Sequence, residues 1–157
     1  MNSKVITLNI TVCRREELSE VDRELVEKAE EMTNNAYAPY SHFLVGAAIR
    51  LSNGEIVTGS NQENAAFPSG TCAERSACFY AGANFPKEKF ETIAVAAREE
   101  GKELRVEPAS PCGACRQSLL EYETLAGKDV RVMLVGKEKI YVLPSVKSLL
   151  PLAFTEF

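Results

Sequence analysis

Cys72-Ala73-Glu74 and, further along the chain, Pro111-Cys112-Gly113-Ala114-Cys115 place three thiols and a carboxylate in two short motifs. Three soft ligands and one carboxylate are what a zinc site that activates water requires. On a helix, residues three apart are neighbours, so Cys112 and Cys115 can face one ion if they lie in its first turn, and Pro111 suits a helix start. Cys72 and Glu74 are two apart and in mid-helix would point to nearly opposite sides, so they share a site only off a helix end. Thr71 is a good N-cap, which would put Cys72 and Glu74 in the first turn. Two helix N-termini then aim at one metal, and their unpaired N–H groups and positive dipole ends favour thiolates. Three sulfurs leave a fourth position open, the mark of a catalytic zinc at which water ionises near pKa ~7. Glu74 carries the group to accept that proton.

Other readings of the same residues stand beside this one. A closed site of four cysteines would be completed by Cys78 or Cys13, although Cys78 lies six residues past Cys72, pointing away from the ligand end, and Cys13 lies in the N-terminal region. Thiol redox chemistry by Cys112 and Cys115 would leave Cys72 and Glu74 unexplained. A noncatalytic zinc module has no need of Glu74. His42, the only histidine, is read as a solvated or hydrogen-bonded side chain.

The elements that must position these residues follow from periodicity. Residues 4 to 12 put Ile6, Leu8, Ile10 and Val12 on one side and Thr7, Asn9 and Thr11 on the other, a half-buried strand. Ser19 and Asp22 resemble a capping box, and Leu18, Val21, Leu25, Ala29 and Met32 continue at helical spacing, predicting a helix over 19–36 that ends before Pro39. Runs 43–51 and 55–59 flank Asn53-Gly54, a pair that supplies the positive φ angles of a hairpin turn. Helices are expected over 72–83 and 112–125, strands over 92–97, 130–135 and 139–143, and a helical turn over 146–150. The order predicts an α/β fold, a mixed sheet with helices packed on it.

The 157 residues, 45% of them hydrophobic, fit one domain, residues 1–15 forming an N-terminal extension with an extra strand. A net charge of -4 disfavours a nucleic-acid partner. No apolar run approaches ~20 residues and the N-terminus lacks a signal-peptide pattern, so no membrane association and a soluble, cytoplasmic protein are expected. Five cysteines, two of them in a short C-x-x-C, point to reduced thiols rather than disulfides.

Asn61-Gln62-Glu63-Asn64-Ala65-Ala66, Cys72-Ala73-Glu74-Arg75, Pro111-Cys112-Gly113-Ala114-Cys115-Arg116-Gln117 and the stretch from Tyr37 to Ala48 resemble the small homotetrameric cytidine deaminases of the three-cysteine zinc type. The resemblance runs from about residue 20 to the C-terminus. It implies a three-layer fold, a five-stranded mixed sheet with helices on both faces, and one zinc ion per chain on Cys72, Cys112 and Cys115. It also implies hydrolytic deamination of cytidine and deoxycytidine in pyrimidine salvage, zinc-bound hydroxide attacking C4 while Glu74 shuttles protons.

Backbone groups around Ala73, Ser110 and Cys112 would hold the base's carbonyl oxygen and amino group. Phe43 would stack near the base, and Asn61 and Glu63 would bond the ribose 3′-hydroxyl. A carboxylate there accepts from hydroxyls and repels phosphate, which favours a free nucleoside. Arg75 would donate to thiolate sulfur and restore the Lewis acidity that three negative ligands weaken; Arg116 suits either that part or a solvated helix surface. Ala65, Phe67 and Phe154 would reach across subunit interfaces of the homotetramer, Phe67 standing where many relatives carry tyrosine. From residue type alone, Phe43 and Phe154 also suit core positions, and Asn61 and Glu63 a solvated loop.

Overall fold

The structure is a computed structural model that describes residues 1–155. Its strands are β1 (Thr11–Cys13), β2 (Phe43–Leu51), β3 (Ile56–Ser60), β4 (Phe90–Glu99), β5 (Arg131–Val135) and β6 (Ile140–Leu143). Its helices are α1 (Glu20–Met32), α2 (Ala73–Asn84) and α3 (Gly113–Ala126). The strands form one sheet in the order β1-β6-β5-β4-β2-β3, with β4 and β5 parallel and every other pair antiparallel. Five strands match the expected sheet, and β1 adds a sixth at its edge.

Alternation along the strands divides the core between the two faces. Ala47, Ile49 and Leu51 of β2 join Val95, Val132 and Leu134 beneath α2 and α3, which contribute Ala77, Ala81, Leu119 and Leu120. Ala48, Ala94, Ala96, Met133 and Val135 face the other way, onto Leu25, Val26 and Ala29 of α1. The helices therefore cover both faces. None of the described helices is long and apolar enough to cross a membrane.

Three details differ from expectation. The strand expected over residues 4 to 12 is confined to Thr11–Cys13. Its partner β6 ends at Leu143, and Pro144, with no N–H to donate, stops the ladder there. Ile6, Leu8 and Ile10 lie outside the strand and are exposed, as is Val12 within it. The 43–60 hairpin forms, but only Gly54 takes a positive φ (88°); Gly54 N–H donates to Leu51 O at 2.9 Å and Leu51 N–H to Glu55 O at 2.9 Å. That is a three-residue loop whose third residue is left-handed, not a two-residue Asn-Gly turn. The first helix starts at its expected Ser19 cap, whose hydroxyl accepts from Asp22 N–H, but is α-helical only to Met32, a 3₁₀ turn occupying Thr33–Asn35.

Two long-range contacts hold the elements that carry the cysteines. Glu123 of α3 is 1% exposed and accepts from Val130 N–H (2.9 Å), Ser145 Oγ (2.8 Å) and Val146 N–H (2.7 Å), tying α3 to the chain on either side of β5 and β6. Gly59 of β3 lies against the first turns of α2: a Cβ there would fall 2.5 Å from Ala77 N and 2.7 Å from Ala73 O. Backbone cannot swing aside as a side-chain tip can. Gly59→Ala should therefore push α2 off the sheet and cost about 1–3 kcal/mol, read as a lower melting temperature by circular dichroism; an unchanged or higher melting temperature would contradict this packing.

Candidate metal centre and substrate cleft

Cys72 is the N-cap of α2 (φ -77°, ψ 157°) and Cys112 the N-cap of α3 (φ -67°, ψ 167°), each one residue nearer the helix start than expected from Thr71 and Pro111. Neither thiol accepts a capping hydrogen bond from its helix backbone. Cys115 is the third residue of α3, the position whose side chain turns back towards the N-cap. Cys112 Sγ lies 3.4 Å from Cys115 Sγ and 3.9 Å from Cys72 Sγ, and all three sulfurs fall within 4.8 Å of one another.

A tetrahedral ion with bonds of ~2.3 Å separates its sulfurs by roughly 3.8 Å. The spacing and the donor set fit zinc. Among the described residues the thiol cluster has these three members. Cys78 is fully buried in the core under α2, where burial pushes its thiol up to about 12. Cys13 donates to Ile140 O at 3.8 Å on the sheet's far edge. A fourth sulfur is thus not at hand.

The electrostatics of the cluster favour a bound cation. Cys72 is lowered to about 5, first by the Cys115 thiol that hydrogen-bonds to it and then by Arg75 and Cys112. Cys115 is pushed up, since it is the proton donor to that thiolate and is also buried. Arg75, the third residue of α2, donates from Nη2 to Cys72 Sγ at 3.7 Å. Glu74, 4% exposed, has its carboxyl pK raised first by burial, with the Cys72 thiolate adding to the shift.

A cleft of about 460 Å³ opens beside Cys72 and Arg75, a size in the range of small-molecule sites. Its walls are the Tyr40–Ser41 loop, residues 61–64, Phe67 and Gly70–Thr71. Asn61 is held at both ends of its amide, Oδ1 accepting from Val45 N–H at 2.8 Å and Nδ2 donating to Phe43 O at 2.9 Å. Glu63 Oε2 accepts from the backbone N–H of Tyr40 (2.9 Å) and Ser41 (3.2 Å). Hydrogen bonds from the Ser41 hydroxyl and the Tyr40 amide keep its carboxyl below the usual range.

Cys72, Cys112, Cys115 and Arg75 thus converge, with Glu74 at the same helix start, while Asn61, Glu63 and Phe67 border the adjoining cleft. Ala73 is buried at the start of α2. Phe43 is half-buried at the start of β2, with the Arg105 guanidinium 5.7 Å from its ring centroid. Ser110 Oγ accepts from Arg116 Nη2 at 2.9 Å. Ala65 is exposed, as are Phe67 and Phe154; Phe154 O accepts from Gln117 Nε2 at 2.9 Å.

Tyr40 and Ser41 carry no sequence signal for this part, since they act on Glu63 largely through backbone amides that every residue but proline has. The sequence leaves Arg116 open between solvent and sulfur. Arg116 instead clamps backbone, donating from Nε to Pro111 O at 2.8 Å and from Nη1 to Leu149 O at 2.9 Å.

Fold and site together define a zinc-binding hydrolase of the cytidine deaminase-like α/β fold. Residues 19–128 match the cytidine and deoxycytidylate deaminase zinc-binding region. The chain is 37% identical over 136 residues to a cytidine deaminase of Halalkalibacterium halodurans, covering 86% of this chain and 96% of that one. It is 36% identical over 143 residues to a blasticidin-S deaminase of Bacillus cereus, covering 88% and 95%. Its fold overlays the crystal structure of a cytidine deaminase from Burkholderia pseudomallei with a TM-score of 0.71 and 36% identity, covering 87% of this chain and 100% of that one. This chain belongs to the cytidine deaminase family.

Removing one thiol should remove the metal, whereas removing the core thiol should not. Cys112→Ala is expected to purify with well under a tenth of the parent's zinc and Cys78→Ala with all of it, measured by atomic emission. Full zinc in the first or loss in the second would show that the ligand set is wrong.

Proposed function

We propose that this protein is a hydrolase that deaminates cytidine and deoxycytidine to uridine and deoxyuridine with release of ammonia. The observation that carries the reading is the pairing of three converging thiols with a buried carboxylate at the same helix start. Zinc held on Cys72, Cys112 and Cys115 would supply a Lewis acid that makes water a nucleophile at neutral pH.

Glu74 moves the protons. Its carboxylate takes one from the water that adds to C4 and passes it to ring N3, and it then assists the amino group to leave as ammonia. Burial supports this role, because a carboxyl whose charged form is disfavoured holds a proton more readily at neutral pH. Arg75, by donating to Cys72 sulfur, draws off part of the negative charge that three thiolates place on the metal. The first-turn amides near Ala73 and the groups around Ser110 and Cys112 face the base, which Phe43 flanks. Asn61 and Glu63 bind the sugar hydroxyl from the cleft wall, and the Glu63 carboxylate disfavours a 5′-phosphate by repulsion.

The functional unit is a homotetramer in which Ala65, Phe67 and Phe154 border a neighbour's site; a sedimentation mass of four chains is expected, and a monomer active at full rate would refute shared sites. Exposure of Phe67 (76%) and Phe154 (65%) on the single chain supports this arrangement. The chain folds as one domain over residues 1–157, with the first 15 residues as an N-terminal extension.

A second reading, deamination of a cytosine-containing nucleoside antibiotic, is favoured by the 36% identity to blasticidin-S deaminase. Turnover of cytidine, deoxycytidine, deoxycytidine monophosphate and blasticidin S separates the two, and a preference for either of the last pair defeats the cytidine reading. Glu74→Gln should keep its zinc while kcat for cytidine falls by at least about 10³-fold. Retained activity in that variant would remove the proposed proton path.

A further inference from the structure

His42 is the only non-glycine residue with a positive φ (55°) among the described residues. A side chain in the left-handed region costs roughly 1–2 kcal/mol, and such conformations persist where their surroundings hold them. The surroundings here are specific. The β2–β4 register pairs Phe43 with Glu99, which brings His42, just before β2, opposite Glu100, just after β4. Glu100 N–H donates to His42 O at 2.9 Å, and His42 Nδ1 lies 2.8 Å from Glu100 Oε2. On its other side, His42 N–H donates to Ala38 O at 3.0 Å and closes the Pro39–Tyr40–Ser41 turn.

That turn aims the Tyr40 and Ser41 amides at Glu63 Oε2 and forms one wall of the cleft. We propose that His42 is a positioning residue for Glu63: left-handed and stapled to Glu100, it holds the two amides that fix the carboxylate at the cleft wall. The proposal rests on the reading in which Glu63 binds the sugar's 3′-hydroxyl. In this arrangement His42 touches no substrate, and its effect reaches the nucleoside only through Glu63.

The test compares cytidine with 3′-deoxycytidine, which lacks the hydroxyl that Glu63 would bind. His42→Val, a β-branched residue ill suited to this backbone and unable to bond Glu100, should raise KM for cytidine about tenfold, the size of one lost hydrogen bond to a charged group. Its kcat should stay within about twofold, and its KM for 3′-deoxycytidine within about twofold of the parent's. His42→Asn, which tolerates the left-handed region and carries a donor for Glu100, should restore KM for cytidine to within about threefold. An unchanged KM in His42→Val, an equal rise for both nucleosides, or an Asn variant as impaired as the Val one would overturn the proposal. Glu63→Ala separates the two levels: if it leaves the KM for cytidine unchanged, the sugar reading falls and the proposal with it. If Glu63→Ala raises that KM and His42→Val does not, the proposal alone falls.

Discussion

The site depends on two helices beginning at one point. α2 and α3 start at Cys72 and Cys112, so two helix ends, whose first-turn N–H groups have no partner inside a helix, meet at the three sulfurs. The N-cap position explains why the thiols are available. An N-cap residue has extended backbone and a side chain directed off the helix end, where serine or threonine would bond back to the third residue. Here cysteines occupy both caps with no bond back to the helix backbone, and the third residues supply a further thiol, Cys115, and the guanidinium that meets Cys72. Three thiolates this close repel one another unless a cation lies between them, so the fold and the metal are physically one problem.

Two buried carboxylates show how the same chemistry serves opposite ends. Glu123 receives hydrogen bonds from two backbone amides and a hydroxyl within 2.9 Å and anchors α3 to the C-terminal part of the chain. Glu74 sits at a helix start beside a thiolate, its carboxyl pushed up by burial. Glu123, gripped from two segments of the chain, is a structural staple; Glu74, whose charge burial disfavours, is suited to carrying a proton. Gly59 completes the arrangement by letting α2 approach the sheet so closely that Glu74 and Cys72 are set by backbone contact rather than by flexible side chains.

Much of this was legible in the sequence because it is encoded locally. Spacing within Cys72–Glu74 and within Cys112–Cys115 defines which residues share a helix end, and strand alternation defines the two faces of the sheet. The cap assignment slipped by one residue because threonine and proline are better helix starters than cysteine by propensity, and the metal site overrides propensity. The strand over 4 to 12 was misjudged in length, since its extent is decided by a partner, β6, and by Pro144 far along the chain. Glu123 and the backbone clamp of Arg116 were invisible for the same reason: their partners are distant in sequence, and neither side chain carries a pattern that names them. Asn61 and Glu63 were marked only by resemblance, and the contacts that hold them are to the backbone of β2 and of the Tyr40–Ser41 turn.

The central claim is a metal held by three sulfurs with one position left for water. X-ray absorption at the zinc edge of the purified protein tests it directly. The account predicts three sulfur scatterers at ~2.3 Å and one oxygen or nitrogen at ~2.0 Å. Four sulfurs around the ion, or a protein that carries no zinc when purified in its presence, would contradict it.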